Sequence, residues 1–169
     1  MAFSPTPPDK DPNHIKRVYE AYGLAMYQAQ CLEKQLAMVY ATHSKPPRRI
    51  TKEELEQKLT RNFEQTFGRL FGDMRRTVYL TSDFESRMQS AVDKRNWLAH
   101  DYFGDRAGHF PTYPGRETMI RELTELAEQF DATDQQLETV YRKWMERNGI
   151  TKEHAQRALD EMIERARNS

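Results

Sequence analysis

Cysteine is almost missing from this sequence: Cys31 is the only one in 169 residues. That excludes an internal disulfide and any cysteine-based zinc cluster. Within an apolar helical pattern, a lone thiol reads as a small core hydrophobe. Glycine is scarce at seven positions, while charged residues reach 31%. This balance favours helices, because long charged side chains lose little freedom on a helix surface. Net charge is absent as well, with 26 basic and 26 acidic side chains. Capturing nucleic acid through bulk electrostatics needs a cationic surplus, so that class is disfavoured. A small site built from a few local cations stays open. No apolar run approaches the ~18–20 residues of a membrane span, and residues 1–13 show no basic-then-apolar signal pattern. A cytoplasmic location without membrane contact is the expectation. His14, His43, His109 and His154 share no metal-ligand spacing, so neither metal nor cofactor is expected.

What the chain does have is helical periodicity. Residues 1–11 are proline-rich and polar, and read as a disordered leader. Asp11-Pro12 supplies a cap and a first-turn proline for a helix whose apolar positions run from Ile15 to Tyr40. It ends before Ser44-Lys45-Pro46-Pro47. Thr51-Lys52-Glu53-Glu54 is a capping box for a second helix reaching Met74, with Gly68 and Gly72 as breaks or close-packing points. Ser82-Asp83-Phe84-Glu85 is another box, opening a third helix towards His100. The stretch Gly104 to Gly115 holds three glycines and two prolines and reads as a loop. A fourth helix starts at Pro114 and stops at Asn148-Gly149. Thr151 caps a short last one. The expected architecture is all-α: an antiparallel bundle of four to five helices over residues 12–148. Residues 149–169 add a C-terminal helical extension, packed on the bundle or prolonging it.

The third helix carries the most informative residues. Its core stripe is Phe84, Met88, Ala91/Val92, Leu98 and Tyr102, and Arg95 falls on that stripe. An unpaired buried charge costs ~3–5 kcal/mol, so Arg95 requires a carboxylate, a phosphate or a groove in which to surface. Glu33 on the first helix is one candidate partner. His100 lies five residues on, about 140° around a straight helix from Arg95. Their convergence needs a bend near His100 or a groove between two chains.

Arg95-Asn96-x-x-x-His100 resembles the signature of the HEPN superfamily: an arginine, a polar residue, then a histidine four to six positions after the arginine. Extended to Asp101-Tyr102, it is similar to the HEPN toxins of bacterial toxin–antitoxin pairs. The resemblance implies a HEPN-like bundle and metal-independent cleavage of RNA in a groove shared by a homodimer. His100 would then act as general base or acid, since imidazole exchanges protons near neutral pH. Arg95 would bind the scissile phosphate through its planar fork. Asn96 would position His100 or the substrate. Tyr102 matches a residue that partner nucleotidyltransferases modify in the related toxins, which would make it a control point. A cognate antitoxin or nucleotidyltransferase is the implied protein partner.

Plainer readings stand beside these. Arg95 and His100 suit a buried ion pair and a helix-terminal histidine stabilised by the macrodipole. Tyr102 and Phe103 suit core aromatics. Arg106 and His109, in the loop after the motif, would be available to an RNA phosphate or simply solvated. Lys45-Pro46-Pro47-Arg48-Arg49 and Arg75-Arg76 read as charged turns. The alternative to an enzyme is a non-catalytic helical interaction module on the same scaffold.

Overall fold

The computed structural model describes residues 8–43 and 51–168, and every regular element within them is a helix. A 3-10 turn, Pro8–Lys10, precedes α1 (Pro12–His43), α2 (Lys52–Phe63), α3 (Phe67–Thr77), α4 (Ser82–His100), α5 (Tyr102–Asp105), α6 (Tyr113–Arg147) and α7 (Lys152–Arg167). No helix among these residues is long and apolar enough to cross a membrane.

Local chemistry sets most of the boundaries. The Asp11 carboxylate accepts from the Asn13 N–H at 2.9 Å at the start of α1. Thr51 and Glu54 form the reciprocal capping box of α2, each bond 3.2 Å long. Arg147 is followed by a Schellman turn. There the Gly149 and Ile150 N–H groups bond the Glu146 and Met145 carbonyls, and Gly149 adopts φ 69°.

Other boundaries depart from the sequence reading. The helix expected to run from Thr51 to Met74 divides at Glu64–Thr66, because Thr66 turns to extended backbone as the N-cap of α3. Gly68 does not break the chain; it brings α3 close to Val92 of α4. Thr81, not Ser82, caps α4 by accepting from the Phe84 N–H at 3.3 Å. The leader does not stay irregular up to residue 11. Asp9, within the 3-10 turn, accepts from the Tyr113 N–H at 2.6 Å and is tied to the head of α6. Residues 1–7 and the Lys45–Arg49 cations lie outside the described residues.

Contacts fix the helix directions. Asn62 and Lys58 of α2 donate to the Ala37 and Ala41 carbonyls of α1, so these helices run antiparallel. So do α1 and α4, through Glu33–Arg95 at one end and Tyr22–Leu98 at the other. Lys94 of α4 meets Gln129 of α6, and Tyr102, just past the end of α4 in α5, meets Met119 nearer the start of α6, so α4 and α6 run antiparallel as well. The bundle closes differently. His14 meets Glu117, and Arg17 meets the same carboxylate, so α1 and α6 start together and lie parallel. Their shared seam holds the core: Val18, Ala25, Leu32 and Leu36 with Met119, Leu123, Phe130 and Leu137.

At the head of that seam Arg116 is 1% exposed. Its Nε donates to His14 Nδ1 at 3.0 Å, and Nη1 donates to the Phe110 and Pro111 carbonyls at 2.9 and 3.1 Å. With Nδ1 accepting, the His14 proton sits on Nε2 and points to Glu117 at 2.6 Å. This network folds residues 106–112 back onto the first turn of α6. There a Cβ on Gly115 would overlap the His109 backbone. Gly115→Ala is therefore expected to destabilise the protein by about 1–3 kcal/mol, the usual cost of forced overpacking. An unchanged urea midpoint would contradict this.

A second expectation concerns Asp134 on α6. Burial first, and then the charges of Asp131 and Glu138, raise its pKa. Its Oδ1 is buried without a hydrogen-bond partner among the described residues. A raised carboxyl pKa in the folded state penalises the ionised form, so the penalty from Asp134 is present at neutral pH and is relieved as pH falls through that raised pKa. Asp134→Asn should raise the melting temperature at pH 7, with the gain shrinking on acidification. A lower melting temperature at pH 7 would refute the argument.

Candidate functional site

The motif sits where α4 gives way to α5. Asp101 departs from helical backbone at φ −122° and ψ −18°, although its N–H still bonds the Trp97 carbonyl. The Leu98 carbonyl accepts from the Tyr22 hydroxyl of α1 at 2.9 Å at the point of the break. A tyrosine from α1 thus caps the end of α4. Helical bonding resumes at once, with Asp105 N–H to Asp101 and Arg106 N–H to Tyr102. The loop expected from Gly104 begins only after Asp105. Gly104 is tolerated within α5 because the following turn, pinned by Arg116, holds the segment in place.

Arg95 lies on the face of α4 that packs on α1, and its side chain is 24% exposed. Nη2 pairs with Glu33 Oε2 at 3.2 Å, and that glutamate is 16% exposed. Nη1 reaches Asn96 Oδ1 at 3.4 Å, while Nε is buried without a partner among the described residues. A carboxylate from α1 thus answers the charge on the apolar stripe. Asn96 contacts Arg95, not His100. His100 is the last residue of α4 and is exposed, and its ring has no hydrogen-bond partner among the described residues. The structure therefore brings Arg95, Asn96 and Glu33 together and leaves His100 separate within one chain.

Two further residues are engaged within the fold, Tyr102 as the core aromatic that its place on the stripe suggested. Tyr102 is 1% exposed, and its hydroxyl donates to the Met119 carbonyl at 3.3 Å. Burial, reinforced by the Glu122 charge, pushes the phenol pKa well above its usual value. Such a hydroxyl is closed to a modifying enzyme in this conformation, so Tyr102 is a core aromatic and not an open control point. Arg106 is not free for a phosphate either. Its Nε and Nη2 grip Glu122 at 2.8 and 2.5 Å, and its guanidinium lies 5.0 Å from the Trp97 ring. The hydrogen bond to Glu122 is the chief cause of its raised pKa. Trp97 in turn donates to Asp105 at 2.7 Å. Sequence spacing could not reveal this pairing, since Glu122 lies on another helix. Of the other cations considered, Arg75 pairs with Glu85 and Arg76 with Asp73, while His109 is exposed.

Beside the motif lies an apolar surface that periodicity alone did not expose. Tyr19 is 53% and Tyr27 62% exposed on the outer face of α1, with Leu24 between them. Phe103 adjoins the Tyr19 end of this face, 6.0 Å from Tyr19 and 5.0 Å from Tyr22 between ring centres. No group of three or more His, Cys, Asp or Glu side chains among the described residues is placed to hold a metal. No family model matches the chain, and no curated protein or solved structure matches it.

The Arg106–Glu122 fork is half-buried and bidentate. Arg106→Ala is expected to cost about 1–3 kcal/mol, as for hydrogen bonds to charged groups, above the usual surface range. Chemical denaturation showing a loss under ~0.5 kcal/mol would mean that the fork contributes nothing to stability.

Proposed function

We propose that this protein is a homodimeric, metal-independent endoribonuclease of the HEPN type, of the kind that serves in toxin–antitoxin pairs or defence. One observation carries the reading: Arg95 is held at the edge of the core by Glu33 while His100 stands exposed at the end of the same helix. Glu33 fixes the guanidinium and leaves Nη1, beside Asn96, facing the surface. Arg95 binds the scissile phosphate and stabilises charge developing on its oxygens. Glu33 is a positioning residue. His100 accepts the ribose 2′-hydroxyl proton as O2′ attacks phosphorus, or donates a proton to the departing O5′. The P–O5′ bond breaks, leaving a 2′,3′-cyclic phosphate and a 5′-hydroxyl.

Within one α4, Arg95 and His100 diverge by about 140°. The two roles therefore fall to different chains, with Arg95 of one copy serving beside His100 of the other. The exposed Tyr19, Leu24, Tyr27 and Phe103 surface supports a second copy against this region, since such patches mark association sites. The implied protein partner, an antitoxin, must act without access to the buried Tyr102 hydroxyl.

A second reading, a non-catalytic interaction module, is favoured by the same Arg95–Glu33 pair, because a structural ion pair has this form. The two separate on one set of measurements. Incubated with RNA and EDTA, the wild-type protein should cleave and His100→Ala should not. The melting temperature of His100→Ala should match wild type, because the ring has no hydrogen-bond partner among the described residues. Arg95→Lys should also fail to cleave, since a point charge cannot replace the fork. Light scattering should return a dimer mass at micromolar concentration. Absence of wild-type cleavage, or full activity of His100→Ala, supports the interaction module.

A further inference from the structure

Of the five histidines, His14 alone is buried, at 2% exposure. Three residues of α6 hold its ring. Arg116 Nε donates to Nδ1 at 3.0 Å, Glu117 faces Nε2 at 2.6 Å, and the Tyr113 ring stacks on it at 4.0 Å between centres. From α1 itself, Arg17 shares the Glu117 carboxylate at 3.3 Å, and Asp11 is engaged with the Asn13 N–H. From the 3-10 turn, Asp9 accepts from the Tyr113 N–H, while His109 of the 106–112 turn faces solvent.

A ring nitrogen that accepts a hydrogen bond carries no proton. A second proton on His14 therefore goes to Nδ1 and points at the Arg116 Nε–H, donor against donor, with two cations in contact inside the fold. Two neighbours favour the imidazolium, Glu117 by its charge and Tyr113 by its ring face. The hydrogen bond with His14 is the chief cause that holds the Glu117 carboxyl below its usual pKa, so this acid stays ionised while imidazole titrates. Yet the Glu117 side chain is 44% exposed and shared with Arg17, whereas Arg116 is 1% exposed. Solvent screens the attraction far more than the buried repulsion, so the repulsion wins. Arg116 cannot swing aside without releasing the Phe110 and Pro111 carbonyls that its Nη1 holds.

We propose that His14 is an acid-sensitive latch: protonation at Nδ1 dislodges Arg116, parts the heads of α1 and α6 and frees the turn 106–112. Imidazole changes charge between about pH 5 and 8, mostly above the range in which ordinary carboxylates titrate. The latch uses no residue of the RNA-cleavage reading, so the two stand or fall separately.

Hydrogen exchange of the full chain tests it at about pH 7.5 and pH 5.5, each rate divided by the intrinsic unfolded-chain rate at that pH. The amides of His109, Phe110 and Thr112, bonded to the Arg106 and His109 carbonyls, report on the turn, and those of α2 serve as reference. Acidification is expected to lower protection of these three at least about tenfold while α2 keeps its own. His14→Asn keeps an acceptor where Nδ1 stands and does not titrate in this range, so its turn should stay equally protected at both values. Glu117→Gln withdraws the charge that favours the imidazolium and should move the loss of protection to lower pH. Unchanged protection in the wild type overturns the proposal. So does an equal loss in His14→Asn, which would assign the effect to another titrating group such as His109. If His14→Asn does not fold, Glu117→Gln decides, and a transition that stays in place or moves to higher pH overturns the latch.

Discussion

A guanidinium that is only 1% exposed needs buried acceptors, and Arg116 finds three of them in His14, Phe110 and Pro111. Much of the molecule's arrangement depends on that requirement. His14 belongs to α1, Arg116 to α6, and the two carbonyls to the turn between α5 and α6. One side chain thus sets the two longest helices parallel and folds the connecting turn beneath them. Removing one partner from such a network leaves a buried donor unpaired, which costs more than the bond itself contributes. With the turn fixed, α5 is fixed, and the end of α4 that carries His100 is fixed with it.

The helices were legible in the sequence because their signals are local. Asp11-Pro12, the Thr51–Glu54 box, the 3.6-residue stripe of α4 and Asn148-Gly149 each act within a turn or two of their own position. Departures arise where a distant residue decides. The helix after Thr51 divides at Thr66, and Gly104 stays helical because the turn beyond it is anchored by Arg116. The parallel closing of α1 and α6 has no local signature, since it rests on contacts about 100 residues apart in sequence.

The same distinction runs through the site. That Arg95 required a partner followed from its place on an apolar stripe, and Glu33 supplies it. The position of Tyr102 on that stripe indicated burial, whereas its motif implied access, and burial holds in the structure. Arg106 looked free because its partner, Glu122, lies on another helix. A charge can be read as needing compensation from sequence, but which acid provides it depends on tertiary packing. His100 has no hydrogen-bond partner among the described residues. The proposed proton transfer would use that solvated imidazole and would need a second chain to bring an arginine beside it.

That need for a second chain is the central claim, and complementation tests it most directly. Arg95→Ala and His100→Ala proteins, each expected to be inactive on RNA, are unfolded together, refolded as a mixture and assayed. A shared groove restores one intact site in every mixed dimer. Random pairing then returns about a quarter of wild-type activity, with half the dimers mixed and half their sites whole. A mixture as inactive as its components would contradict the account.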